Sequence, residues 1–153
     1  MIITHRGKGA SVLDYVIIAA STFRDIADSS SVPFLRTVAA VSISISTTVQ
    51  SVKSNKEECT RMVSHIEELL SAIPKLYFNE SDVSPTTLHN IGRFADTLQK
   101  IHTFVNAQQN TSILKQLFRQ SANTALLEEC NSGLRHALDV FGVFEFVKLL
   151  SSF

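Results

Sequence analysis

The sequence has no tryptophan, three prolines, five glycines and two cysteines among 153 residues. So few breakers exclude a turn-rich β-sandwich and favour helices. Two cysteines, Cys59 and Cys130, cannot make a disulfide framework for a chain of this size, and a cytosolic protein with reduced thiols is the expectation. An excess of charge of either sign is also absent, with 14 basic and 14 acidic side chains. Bulk attraction to nucleic acid is therefore not expected, although a local basic patch survives such averaging. Nor is there a bilayer span. The longest uncharged stretch, Thr37 to Val52, is half Ser, Thr or Gln, where a span needs ~20 mostly apolar residues. At the N-terminus, "MIITHRGKGASVLDYVIIAAS" sets basic residues before apolar ones, but Asp14 interrupts and the pattern continues amphipathically to Ile26, unlike a signal peptide.

Catalytic and metal-binding signatures are missing as well. His5, His65, His89, His102 and His136 show no H-x-x-x-H or E-x-x-H spacing, and no C-x-x-C occurs, so no metal site is expected. "RGKG" at 6–9 lacks the G-x-x-x-x-G-K-[ST] pattern and has no strand before it. Glu67-Glu68 and Glu128-Glu129 are adjacent pairs that point about 100° apart on a helix and read as solvated faces. With no nucleophile–base constellation, neither an enzyme nor a cofactor is expected.

What is there is helical periodicity. Residues 1–9 are polar and read as a flexible arm before a single domain over 10–153. From 10 to 28, Val12, Leu13, Val16, Ile17, Ala20, Phe23 and Ile26 recur at helical spacing. "DSSSVP" stops this helix, and Pro33 suits the first position of the next. A ladder then runs Val38, Val41, Ile45, Thr48, Val52, Asn55, Cys59, Met62, Ile66, Leu69, Ile73, Leu76, in strict 3,4 spacing with only Thr48 and Asn55 polar. Within it, "VSISIS" at 41–46 alternates like a strand, but heptad spacing sustained on both sides outweighs so short an alternation.

The ladder divides at "SNKEE", where Ser54 and Glu57 form a capping box. It is read as helices over about 34–53 and 55–77, folded back as a hairpin; one kinked helix is the alternative, because the ladder keeps its phase. Ser84-Pro85 opens a helix to about 108, with Leu88, Ile91, Ala95, Leu98, Ile101 and Val105 inward. "NAQQNTS" stops it. A short helix over 112–119 follows, then a last one over 122–150 capped by Ser121, with Leu127, Cys130, Leu134, Ala137, Phe141 and Phe144 as its core stripe. The expected fold is all-α, an up-down four-helix bundle with an additional N-terminal helix and a short helix before the last one.

The helix carrying VSISIS has an uncharged surface from 37 to 51, built from Ala, Ser, Thr, Ile43 and Gln50. Small residues admit another backbone closely, and hydroxyls can bond the carbonyl four residues back. Such a helix is built to be covered. Either the 10–28 helix and the C-terminal tail cover it within one molecule, or the cover leaves and Ala39, Ser42, Ile43, Ser46 and Gln50 form a self-association face. Basic residues make a second candidate surface. Arg93 and Lys100 lie seven apart on one helix face, and Lys53, Lys56 and Arg61 cluster at the 34–53/55–77 junction, where each could touch lipid phosphate. Ordinary surface solubility is the plainer reading, since Glu57, Glu58 and Asp96 stand beside them.

The blocks "VQSVKSNKEECTRMVSHIEELLSAI", "LHNIGRFADTLQKIHTFV", "ILKQLFRQ" and "LLEECNSGLRHALDVF" resemble, in order and spacing, the N-terminal four-helix bundle of mixed-lineage kinase domain-like proteins, and more closely its fungal, HeLo-like versions. The likeness covers about 34–142. It implies a cell-death or innate-immunity signalling module that self-associates, binds anionic phospholipid membranes through basic helix faces and permeabilises them. It further implies a cytoplasmic location with peripheral recruitment to membrane, and coupling to a receptor-type signalling protein. Lys53, Lys56 and Arg61 fall where the family has Lys or Arg, whereas Thr48, Glu57 and Thr60 replace further basic residues of animal members. A non-enzymatic adaptor bundle without membrane activity is the alternative.

Overall fold

The computed structural model describes residues 12–30, 32–77, 84–109 and 113–142. Five α-helices follow one another: α1 Val12–Asp28, α2 Leu35–Val49, α3 Lys56–Tyr77, α4 Pro85–Ala107 and α5 Ile113–Val140. No strand occurs among the described residues, and VSISIS lies wholly within α2. The expected arm over 1–9 and the tail beyond 142 lie outside the described residues.

Local chemistry sets most boundaries. α1 ends where the Ser29 hydroxyl donates to the Ile26 carbonyl at 3.0 Å and the Ser30 amide to Ala27 at 3.2 Å. Ser84 caps α4 by accepting the Thr87 amide at 3.1 Å, with Pro85 in the first turn. Three boundaries differ from the sequence reading. Pro33 lies in a turn before α2, and Phe34 stands at the N-cap with a left-handed φ of 74°. That backbone is unfavourable for a bulky residue and is held by tertiary contact, for the Phe34 ring lies over Gly92 of α4, 3.5 Å from where a Cβ there would sit. α2 stops at Val49 rather than 53. The segments expected at 112–119 and 122–150 run together as α5, because "RQSAN" contains no Gly or Pro and a serine inside a helix is tolerated.

Pairwise contacts give the topology. Phe34 meets Gly92 at one end of α2, and Ser51 and Ser54 meet Gln109 and Gln108 at the other, so α2 and α4 run in the same direction. Lys100 faces Glu129, Thr97 faces Gly133, and the Phe94 and Phe141 rings meet edge to face at 6.3 Å, so α5 runs opposite to α4. α3 runs alongside α5, with Arg61 and His65 beside Asn131 to Leu138. Directions thus alternate from α2 to α5, as in an up-down bundle. Around the ring α2 neighbours α4, α4 neighbours α5, α5 neighbours α3 and α3 neighbours α2. α3 and α4 are therefore diagonal to each other. α1 lies along both α2 and α3, which touch each other far less than either touches α1.

The core joins all five helices through Phe23, Ile45, Met62, Ile66, Leu70, Phe94, Phe104 and Cys130, each at most 1 % exposed. In α2 the buried stripe is Leu35, Val38, Ala39, Ser42, Ile45 and Ser46, while the ladder residue Val41 is only half-buried. The inward face is therefore rotated from the 3,4 ladder toward the small residues. Ser46, Thr47 and Thr48 donate to the carbonyls of Ser42, Ile43 and Ser44 at 2.8–2.9 Å. Of the three only Ser46 is buried, and its bond lets a hydroxyl enter the core at low cost.

Ser42 is the exception: its hydroxyl is buried without a hydrogen-bond partner among the described residues. An orphaned buried hydroxyl carries a desolvation penalty, and alanine is also the better helix former. Ser42→Ala is expected to raise stability by about 1 kcal/mol, read as a higher urea midpoint at unchanged m-value. A lower midpoint would show that the hydroxyl has a partner after all.

Candidate functional site

The candidate cations fall on two separate surfaces, because α3 and α4 are diagonal in the bundle. Lys53, Lys56 and Arg61 gather at the α2–α3 junction and the first turns of α3. Arg93 and Lys100 lie on α4, beside α5.

The junction is held by one residue that the sequence reading passed over. Gln108, at the C-terminus of α4, is 1 % exposed. Its carbonyl accepts the Lys53 amide at 2.9 Å and the Ser54 amide at 3.3 Å. Its side-chain Oε1 accepts from the Ser54 hydroxyl at 3.0 Å and from Asn55 Nδ2 at 2.8 Å, while its Nε2 donates to the Phe104 carbonyl at 3.0 Å. The expected capping box does not form, since the Ser54 hydroxyl is committed to Gln108 and α3 begins after Asn55, whose φ is 54°. Both boundary signals were present, "NAQQNTS" ending one helix and "SNKEE" opening another. That they bond to each other was not written in either.

Lys53 on this pinned loop and Lys56, the first residue of α3, are exposed, and neither makes an ion pair among the described residues. Arg61 is paired with Glu58 one turn before it. On the other surface, a groove of about 930 Å³ runs between α4 and α5, with Phe34, His89, Arg93, Asp96, Lys100 and Glu129 among its walls. Lys100 Nζ sits 3.9 Å from Asp96 and 3.7 Å from Glu129, and Arg93 lies 3.0 Å from His136 Nε2. Carboxylates line this groove together with its cations. At the junction, by contrast, Lys53 and Lys56 face solvent with no counter-ion within ion-pair distance among the described residues.

The proposed self-association face is largely inside. Ala39, Ser42 and Ser46 are buried, Ile43 is half-buried against the core, and Gln50 is exposed. In this arrangement only a rearrangement of the helices packed on α2 could present it to a second copy.

Both thiols lie in the interior. Cys59 and Cys130 are free and fully buried. Burial, aided by Glu58, pushes the Cys59 thiol up to about 11, and burial with Glu129 pushes Cys130 up to about 12. Thiols so far from ionising are poor nucleophiles. Among the described residues no group of three or more His, Cys, Asp or Glu could hold a metal ion, and no helix is long and apolar enough to cross a membrane.

The chain matches the family model of the mixed lineage kinase domain-like N-terminal domain over residues 35–149, which begins at the first residue of α2 and leaves α1 outside. No curated protein and no solved structure matches it. With α2 to α5 forming the alternating four-helix bundle and the family match spanning them, the chain belongs to the mixed lineage kinase domain-like N-terminal domain family, whose bundle domains are associated with cell death.

Proposed function

We propose that this domain is a cytoplasmic signalling module of cell-death or innate-immunity type, recruited peripherally to anionic phospholipid membranes and self-associating there to permeabilise them. The observation that carries the lipid contact is that Lys53 and Lys56, exposed and without an ion pair among the described residues, flank a turn into α3 that is locked to α4 through Gln108. A fixed loop presents both charges without the entropy cost of ordering it. The family match supports the cell-death setting. Single-copy attraction is modest, at about 1 kcal/mol per well-placed cation, and Glu57 and Glu58 reduce it. Assembly of many copies multiplies such weak contacts. Self-association through Ala39, Ser42, Ile43, Ser46 and Gln50 requires α1 to move, and α1 is the one helix outside the family match.

Sedimentation with vesicles containing phosphatidylserine tests this reading. Lys53→Gln with Lys56→Gln is expected to weaken partitioning about 30-fold, the equivalent of about 2 kcal/mol. Arg93→Gln with Lys100→Gln should change it less than twofold, because Lys100 is paired with Asp96 and Glu129 and Arg93 shares its groove with three carboxylates. Dye leakage from the same vesicles, beside size-exclusion chromatography, reads the assembled activity. A monomer that neither binds nor leaks, even after residues 1–32 are removed, would assign the domain to the second reading: an adaptor that recruits a receptor-type signalling protein through helix contacts. Exposed Ile17 and Ile18 on α1, 38 % and 64 % accessible, are the observation favouring that alternative.

A further inference from the structure

We propose that the dent between α3 and α5 is a binding site for a tetrahedral oxyanion, a phosphate or phosphomonoester, held by Arg61, His65, Asn131 and Arg135. The dent has a volume of about 200 Å³ and is lined by these four residues and by Leu134 and Leu138. Every polar side chain on its wall can donate a hydrogen bond, and no carboxylate lines it. That distinguishes it from the larger α4–α5 groove, whose walls carry three carboxylates.

Two guanidiniums from facing helices suit an anion with several acceptor oxygens, since each planar fork can take two of them. A tetrahedral group offers oxygens to both helices at once, whereas a flat carboxylate satisfies one fork. Arg61 gives one arm to Glu58 and keeps further donors. Arg135 is exposed and makes no ion pair among the described residues. His65 supplies an independent observation. Its Nδ1 is buried with no hydrogen-bond partner, the Glu68 carboxylate standing off at 3.8 Å. Buried polar atoms are rarely left so, and a bound oxyanion would supply the acceptor that this nitrogen lacks. Leu134 and Leu138, each 2 % exposed, give the dent an apolar floor on which charge-assisted bonds gain strength. A ligand here would tie α3 to α5, one of the thinner seams of the bundle.

This site is separate from the Lys53–Lys56 contact, so the two ideas fail separately. The test is titration of the whole domain with sodium phosphate against sodium chloride at matched ionic strength, read by the melting temperature and by the His65 and Arg135 side-chain NMR signals. Saturable shifts of both signals are expected, together with a rise in melting temperature. Affinity should fall at least tenfold in Arg135→Gln and in His65→Gln, and stay unchanged in Lys53→Gln with Lys56→Gln. The control matters because phosphate also stabilises proteins non-specifically, an effect the Arg135 and His65 variants would retain. Vesicles of phosphatidylcholine with phosphatidic acid distinguish the source. Weaker vesicle binding by Arg135→Gln identifies a lipid headgroup, and unchanged vesicle binding beside lost phosphate binding identifies a free phosphate compound. Shifts that do not saturate, or that persist in both variants, overturn the site.

Discussion

Between pH 9 and 11 the domain is expected to lose on the order of 5 kcal/mol of stability through its two cysteines. Below pH 9 the thiol protons are held in both the native and the unfolded chain, and burial is neutral in protonation. Above it the unfolded thiols ionise from an ordinary 9.0, while Cys59 and Cys130 stay protonated in the core until about 11 and 12. The unfolded chain then binds fewer protons than the native one, so each further pH unit favours unfolding by about 1.4 kcal/mol per thiol. The loss levels off once the pH passes the folded values. Guanidinium melts at pH 8, 9, 10 and 11 measure this, with Cys59→Ala/Cys130→Ala as the reference for tyrosine and lysine ionisation. The double variant starts less stable, because small cavities replace sulfur, but its alkaline slope should be much shallower. Equal slopes would show that the thiols are more accessible than their burial implies.

Gln108→Leu is expected to cost about 3 kcal/mol, though the change conserves volume roughly and adds hydrophobicity. Three side-chain hydrogen bonds vanish with the amide: Asn55 Nδ2 loses its partner, while the Ser54 hydroxyl and the Phe104 carbonyl keep only the residue-108 backbone, at 3.5 and 3.3 Å. Losing one partner of a buried bond costs more than the bond contributes net, because the other group stays desolvated. Gln108→Glu separates the parts of this effect. It retains an acceptor for Ser54 and Asn55 but loses the donor to Phe104, so it should fall between wild type and Gln108→Leu at neutral pH. Hydrogen exchange at the Lys53 and Ser54 amides, which bond the Gln108 carbonyl, should rise in Gln108→Leu. If those amides stay protected and the denaturation midpoint is unmoved, the junction is held by something other than Gln108. The same variant bears on function, since a loosened junction presents Lys53 and Lys56 less firmly to a membrane.

Legibility in the sequence followed the range of the interaction. The helix starts and stops that depend on neighbouring residues were readable: Ser84 capping α4 ahead of Pro85, and the serines after Asp28 ending α1. VSISIS could be assigned to a helix because its heptad context extended well beyond its alternation. Local signals mislead where a distant residue intervenes. Ser54 and Glu57 have capping-box spacing, yet Ser54 turns instead to Gln108, 54 residues away in sequence. Phe34 occupies a backbone region that its side chain disfavours, because its ring finds Gly92. The α2 ladder pointed to Val41 as core, whereas Ala39, Ser42 and Ser46 lie deeper. Periodicity locates a stripe but cannot say from how many sides it will be pressed.

The candidate site divides along the same line. Which residues are cationic was plain, and so was the cluster at Lys53, Lys56 and Arg61. Which of those charges remain free was not, because Lys100 meets Glu129 only after α5 packs against α4. Arg135 and Asn131 drew no attention in the chain and gain significance only opposite Arg61 and His65.

The amino-acid sequence alone determined that the chain is helical, where most helices start, that one of them carries an uncharged small-residue surface, and that its blocks follow the order of this family. These properties are local or periodic, set by backbone propensity and by side chains three or four residues apart. Tertiary structure alone decided the ring order of the helices, the lodging of α1 against α2 and α3, the pinning of the junction by Gln108, and which cations stay unpaired. Each of these depends on groups far apart in the chain meeting at hydrogen-bond or ion-pair distance, and the energy of such a meeting belongs to neither residue until the fold brings them together.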